Sequence, residues 1–356
     1  MNKSRIYVCH TYYHVYVAIL KEFALPKEEQ GKATLVLSKM SSDFQDLDIR
    51  IKKQGVFEDV VWFDEQPYWH FDELMKYKKD YKNFFINLIS RMIFTKKYAK
   101  CEAPFVPVNF KEYKDIYVFC DSDPIGYYLS ANHIYYHALE DGLNCLMHYD
   151  AARYDNRGNF KIKALLASWN LIFIQNGYGK YCIDMEVNQI EGLMYPTKKH
   201  KELPRIKLIE RLTAEEKTTI IDIFVKDKDK LFDSLKQIGR DVKTYLILTE
   251  PLCDFETRKQ IFGDLVDTYE KEAIICIKPH PRDELEYTDI FPELLVFEKK
   301  VPMEVLNCLG EKFFDKVISV LTDINGIYFA KETVRLGPDF MDKYEEASIH
   351  RQNEQI

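Results

Sequence analysis

The chain lacks a glycine-rich phosphate loop. Its 13 glycines in 356 residues never fall into the G-x-G-x-x-G or G-x-x-x-x-G-K-[ST] spacing, so dinucleotide-binding and P-loop readings lose the backbone cradle they depend on. Cysteine pairs are missing too. Cys9, Cys101, Cys120, Cys145, Cys182, Cys253, Cys276 and Cys308 stand singly, with no C-x-x-C, several of them inside apolar runs. They read as small buried residues in a reducing compartment. No apolar stretch approaches the ~18 to 20 residues that span a bilayer, and the N-terminus runs into a strand without the apolar region of a signal peptide, so the expected location is cytoplasmic. Positive charge is in deficit: 50 Lys and Arg against 57 Asp and Glu give a net charge of −7. That argues against a nucleic-acid binder, whose affinity rests on neutralising phosphates.

Apolar residues are plentiful. At 46% hydrophobic content the chain can bury a core large enough for two ordinary domains. Arg5 to Cys9 reads as a strand, broken by His10, Thr11, Tyr12, Tyr13 and His14 before a helical run. This is a first βα unit, with its polar aromatic turn at the ligand end of a sheet. Strands at 33–37 and 60–63 and a helix over 43–54 continue the alternation. From Tyr68 to about Lys100 the pattern predicts one long amphipathic, aromatic-rich helical stretch carrying Lys76, Lys78, Lys79, Lys82, Arg91, Lys96, Lys97 and Lys100. Such a stretch either packs on a core with a solvated basic face or rests on an anionic membrane surface.

Asp115 to Cys120 reads as another buried strand, followed by Asp121, Ser122, Asp123 and Pro124. Ser122 or Asp123 would cap a helix with Pro124 in its first position. Alternatively, Asp121 and Asp123 form the D-x-D pair with which metal-dependent glycosyltransferases hold a divalent ion. The next strand, His133 to Leu139, ends in Glu140, Asp141 and Gly142. This acidic turn is either plain surface or the place where a carboxylate acts as general base. Strands at 145–149 and 171–175 flank a helix over 164–169, and a polar, proline-bounded segment follows. The expected domains are 1–196 and 197–356.

The second half opens with two helices, the first bearing a Thr213/Glu216 capping box. The βα alternation then restarts: strand 244–248, helix 254–271, strand 273–277, strand 294–297, helix 301–309 and strand 317–321. Ala273 to Ile277 is continuous and β-branched, as in a strand buried on both faces. It ends in Lys278, Pro279, His280, Pro281 and Arg282. The prolines hold the segment extended, and alternation would put Lys278, His280 and Arg282 on one face as three potential cations for a phosphate. Thr322 stands where a helix N-cap belongs, which either caps that helix or adds an anion site.

Two such halves give two Rossmann-like α/β domains facing a cleft, the GT-B glycosyltransferase architecture. Glu140-Asp141-Gly142 and His280-Pro281 resemble the D/E-D/E-G and HP motifs of bacterial sialyltransferases. Thr244 to Leu252, Lys278 to Asp283 and the opening VCHTYYH further resemble the lipooligosaccharide and capsule sialyltransferases of glycosyltransferase family 52. The resemblance implies an inverting, metal-independent transferase without cofactor, moving sialic acid from CMP-sialic acid to a sugar hydroxyl of a bacterial surface glycan. It implies Asp141 as base with Glu140 beside it and Asp254 in reserve, and His280 at the departing phosphate. Lys278, Pro281, Arg282, Ser319, Thr322 and Gly142 fall on the donor side, and His10, Tyr12, Tyr13 and His14 on the acceptor side. Ser319 and Thr322 stand in, at a looser spacing, for the family's Ser/Thr pair. The competing readings are a metal-dependent UDP-sugar transferase using Asp121 and Asp123, and a non-catalytic saccharide-binding or assembly protein on the same scaffold. The expected partners are CMP-sialic acid, an oligosaccharide acceptor and, through residues 76–100, the inner membrane surface. No nucleic acid is expected. Acceptor sugar, linkage and oligomeric state, a homodimer among the options, stay open.

Overall fold

The computed structural model describes residues 3–119, 121, 124–141, 159–191, 193–237, 242–310, 312–322, 324 and 327–350. Cys120, Ser122, Asp123, Gly142 and the strand expected at 145–149 lie outside the described residues. The chain divides into two compact units, Met1–Arg211 and Leu212–Ile356.

The sheet of the first unit comprises β1 (Lys3–Cys9), β2 (Ala33–Ser38), β3 (Asp59–Phe63), β4 (Tyr113–Phe119), β5 (Tyr136–Leu139), β6 (Cys182–Val187) and β7 (His200–Glu202). The spatial order is β3-β2-β1-β4-β5-β6-β7, and every pairing is parallel. The order reverses between β1 and β4, so the crevice of this doubly wound sheet opens beyond Cys9 and Phe119. Ile6, Val8, Val118, Ala138 and Met185 form one core face, packed with Ile125 and Leu129 of the Ile125–Ala131 helix. Gly126 permits that close seat, because a Cβ there would lie 2.4 Å from both the Asp121 carbonyl oxygen and the Phe173 ring.

Three sequence expectations change here. Residues 197–211 belong to the first unit, because β7 pairs with β6 (Met185 with His200, Glu186 with Lys201); Pro196 and Pro204 bracket a short edge strand, where proline is tolerated. Ile172, Phe173 and Ile174 are buried, but in two separate clusters, and residues 171–175 form no ladder strand. The long stretch from Tyr68 is broken into short turns, and Lys82 adopts φ 54°. A helix then starts at Phe84 under the Asn83 cap, whose side chain accepts the Phe85 and Ile86 N–H groups, and runs to Glu102. Its Phe94, Tyr98 and Ala99 are buried against Leu74, Tyr127 and Phe173.

The second unit carries β8 (Thr244–Leu248), β9 (Ile274–Lys278), β10 (Leu295–Val296), β11 (Phe314–Ser319) and β12 (Ala330–Arg335). All are parallel in the order β10-β9-β8-β11-β12, and here the order reverses between β8 and β11. The capping box of Thr213 and Glu216 is formed. Among the described residues no helix starts at Thr322; the next element is β12, which joins the sheet, and the short helices Pro338–Met341 and Ala347–His350 come after it. Lys331, Glu332 and Thr333 of this edge strand are exposed, as suits an edge guarded by charge, and that exposure hides it from a hydrophobic pattern.

Glu102 closes the long helix fully buried, accepting the Gln66 N–H at 3.2 Å. Burial pushes its carboxyl up to about 8 from an ordinary 4.5. The folded chain therefore keeps a proton that the unfolded chain releases, and stability falls as pH rises from about 4.5 to about 8. Glu102→Gln keeps an acceptor for Gln66 and removes the titration. Urea midpoints should favour the variant at pH 8 and converge with wild type toward pH 5; identical profiles would refute the assignment.

Candidate active site

In the first unit the residues after β1 do not splay into solvent. Thr11 caps the Tyr12–Phe23 helix by accepting the His14 N–H at 3.2 Å. Tyr12 is buried on Phe44, with ring centroids 5.4 Å apart, and Tyr13 is half-buried. His10 and His14 are buried. His10 Nε2 lies 2.6 Å from Glu65 Oε2, and the His10 backbone N–H donates to His14 Nδ1 at 3.0 Å. His14 Nε2 meets Asp141 Oδ1 at the end of β5. The sheet thus brings together a histidine from the acceptor-side set and the carboxylate expected to be the base, 127 residues apart.

The two acidic neighbours part company. Asp141 is exposed, with 47% of its side chain accessible. Glu140 is buried, accepting the Asn188 backbone N–H at 2.5 Å and its side-chain amide at 3.1 Å. Burial raises its carboxyl above the usual range. Glu140 is therefore a tie between β5 and the chain after β6, and Asp141 is the member of the pair that a ligand can reach.

In the second unit the His-Pro turn is braced from behind. Asp283, 1% exposed, accepts from Arg258 Nη1 at 2.7 Å, the Tyr287 hydroxyl at 2.8 Å and the Thr249 hydroxyl at 3.2 Å. Thr249 Oγ1 in turn accepts the His280 N–H at 3.2 Å. His280 Nδ1 accepts the Arg282 N–H at 3.1 Å, so its neutral ring carries the proton on Nε2. Burial, then Arg282 and Lys278, push the imidazole down to about 4. At neutral pH His280 is an uncharged N–H donor.

Three cations on one face are not what forms. Lys278 is buried, donating to the carbonyls of Pro279 at 2.7 Å and Lys299 at 3.1 Å, and burial pushes its amine down to about 7. The chain turns at once, with the Asp283 N–H on the His280 carbonyl at 2.9 Å, so the extended alternation ends and only Pro281 and Arg282 are exposed. Ser319 is fully buried, its hydroxyl on the Thr322 carbonyl at 2.9 Å. The N–H groups of Val320, Leu321 and Thr322 all reach the carboxylate of Glu250, at 3.1, 2.9 and 2.8 Å. The anion site expected at Thr322 is filled by the chain itself. Asp254 caps the Phe255–Tyr269 helix, taking the N–H groups of Glu256 and Thr257 and the Thr257 hydroxyl.

The D-x-D reading loses its first ligand. Asp121 is wholly buried, and its oxygens accept from the Tyr136 hydroxyl at 2.6 Å and from the N–H groups of Asn176 and Gly177. Burial lifts its carboxyl to about 7 against those hydrogen bonds. A wholly buried carboxylate already held by three donors of the fold is not presented to a divalent ion. Sequence patterning missed Glu65 and Glu250. Each stands two residues beyond the end of a strand, β3 and β8, and that shared offset was the available signal.

The sequence profile of glycosyltransferase family 52 matches residues 71–321, more than half of the chain. The chain belongs to glycosyltransferase family 52. The 2,6-sialyltransferase of Photobacterium sp. JT-ISH-224, solved with the donor product CMP and the acceptor lactose, is 12% identical; the match covers 93% of this chain and 71% of that one, with a TM-score of 0.57. The GT-B domain of the Photobacterium damselae sialyltransferase is 12% identical over 90% of this chain and 86% of that one, with a TM-score of 0.51. These likenesses establish the GT-B fold. A curated protein of Haemophilus influenzae, described as uncharacterized, is 29% identical over 183 residues, 47% of this chain and 55% of its own. The family 52 chain thus spans about half the length of the curated relative it matches.

The filled nest makes its own prediction. Glu250→Ala leaves three N–H groups without their acceptor and should lower stability in urea by roughly 2 to 4 kcal/mol, whereas Glu250→Gln, which keeps one oxygen, should lose about 1 kcal/mol. Were the nest a phosphate site instead, the alanine variant would bind nucleotide more tightly with little loss of stability.

Proposed function

We propose that this family 52 enzyme transfers sialic acid from CMP-sialic acid to a sugar hydroxyl of a bacterial surface glycan, with inversion and without a metal ion. The observation that carries the reading is an exposed carboxyl at the end of β5 and an imidazole N–H donor after β9. Asp141 is an exposed carboxylate, and His280 is a neutral imidazole whose Nδ1 is occupied by the Arg282 N–H, which leaves Nε2–H as the donor. Asp141 takes the proton of the acceptor hydroxyl as its oxygen bonds to the anomeric carbon, while the bond from that carbon to the phosphate oxygen breaks. His280 donates a hydrogen bond to the departing phosphate, with Arg282 adding charge. A CMP leaving group carries one phosphate, which one imidazole and one guanidinium can serve. The resemblance of the acidic turn and the His-Pro dipeptide to sialyltransferase motifs supports CMP-sialic acid over other donors.

A donor screen over CMP-sialic acid, CMP-Kdo and common UDP-sugars tests this, run with and without EDTA. Turnover of CMP-sialic acid that survives EDTA is the expected result, and a UDP-sugar activity restored by Mn²⁺ would overturn the reading. Asp141→Asn should lower kcat by roughly 10² to 10⁴ with CMP affinity nearly unchanged, whereas Asp254→Asn should act only as a weakened helix cap.

The acceptor class also suggests where the enzyme works. No helix among the described residues is long and apolar enough to cross a membrane. Phe85, Ile86, Ile89 and Ile93 of the Phe84–Glu102 helix are nevertheless exposed, as are Ile162, Leu165 and Trp169 on and just after the Phe160–Ser168 helix. The two helices touch through Leu88 and Met92 against Phe160 and Ala167. Exposed Lys79, Lys82, Lys96, Lys100 and Lys161 accompany the two stripes, which fits an interfacial platform on an anionic bilayer. Co-sedimentation with vesicles containing phosphatidylglycerol should fall at least tenfold in Phe85→Ser/Ile89→Ser and be weak on neutral vesicles; equal sedimentation of variant and wild type would refute the platform.

A further inference from the structure

We infer that His14 is a positioning residue for the reaction, helping to hold Asp141 ionised and oriented through the hydrogen bond from Nε2. The inference rests on the reading of Asp141 as the base.

His14 is held on three sides. Its ring lies flat on Phe119 at the end of β4, with centroids 4.0 Å apart and an interplanar angle of 0°. Nδ1 accepts the His10 backbone N–H at 3.0 Å, so the proton of the neutral ring resides on Nε2, the nitrogen that meets Asp141. The backbone is fixed as well, since the His14 N–H is spent on the Thr11 hydroxyl. Burial outweighs the attraction of Asp141 and keeps the His14 pKa below its ordinary value. The contact is therefore a neutral N–H donor on a carboxylate rather than an ion pair.

Among the described residues, other titratable groups adjoin the pair. His10 lies beyond His14, with Glu65 on its far nitrogen. Glu140 adjoins Asp141, with Arg205 acting on it. A donor to the charged form of a carboxylate favours that form, so His14 keeps Asp141 unprotonated at the pH where it must accept a proton. Nδ1 is committed to a backbone N–H and cannot release a proton onward. The acceptor's proton is therefore not passed on through His14, which acts by geometry and by holding the carboxyl acidic, not as a relay.

The test compares kcat against pH for wild type, His14→Asn, His14→Gln and Asp141→Asn, with thermal midpoints alongside. The asparagine amide can occupy the place of Nδ1 and meet the His10 N–H but is too short for Asp141; the glutamine amide can occupy the place of Nε2. His14→Asn should move the acid limb of kcat up by roughly one pH unit and lower neutral-pH kcat about tenfold, with donor KM unchanged, whereas His14→Gln should keep the limb near wild type. A His14→Asn enzyme with the wild-type limb overturns the inference, however slow or unstable it is. Should that variant not fold, ¹⁵N shifts of His14 in the wild-type protein decide: protonated Nε2 supports the inference and protonated Nδ1 overturns it. Normal turnover by Asp141→Asn would instead bring down the base assignment itself.

Discussion

A buried glutamate carboxylate stitches the ligand end of each sheet. Parallel strands deliver their chain into turns and helix N-termini whose N–H groups point inward without partners, and burial of such groups is costly unless an acceptor reaches them. Glu65 takes the Ile125 N–H at 2.9 Å, the Ser38 hydroxyl at 2.6 Å and His10, tying the ends of β1, β2 and β4 to the chain after β3. Glu250 does the same between β8 and β11. In the first unit the candidate groups hang from this stitch, and in the second His280 hangs from a separate buried carboxylate, Asp283. In the first unit the connection runs from Glu65 to His10, from the His10 backbone to His14, and from His14 to Asp141. In the second it runs from Asp283 through Thr249 to His280.

Much of the framework was legible in the sequence because parallel strands announce themselves as short apolar runs, and Thr244–Leu248 and the Thr213 cap fall where patterning puts them. The acidic turn and the His-Pro dipeptide were legible as well, since strand ends in doubly wound sheets face ligands. What failed was the extension of local rules past their range. Alternation predicted a shared face for Lys278, His280 and Arg282, but the strand ends at Lys278 and a turn begins. Edge strands β7 and β12 lack the apolar signal of central ones. The pairing of His14 with Asp141 in the first unit and that of Glu250 with Thr322 in the second span 127 and 72 residues, and no local pattern encodes a partner at such a distance.

Adjacent carboxyls illustrate how environment divides labour. Glu140 and Asp141 share a turn, yet one is withdrawn into hydrogen bonds with Asn188 and the other stays at the surface on a histidine. The same separation appears at β9. Lys278 and His280 are two residues apart, and burial discourages charge on both, but only the histidine, half-buried, keeps contact with solvent. In both turns the residue that looks most chemical in the sequence is joined by a neighbour whose work is structural.

The filled nest at β11 bears on inhibition. Enzymes that grip phosphate with a ring of backbone N–H groups are open to any small oxyanion of the right size, including inorganic phosphate and sulfate in the surrounding medium. Here that ring is already occupied by Glu250, and what remains at the turn is an uncharged imidazole and one exposed guanidinium. On the proposed reading, such a surface holds a bare oxyanion poorly and depends on the nucleoside and sugar attached to it. Competitive inhibitors for this chain are therefore better sought among whole nucleotide analogues than among phosphate mimics.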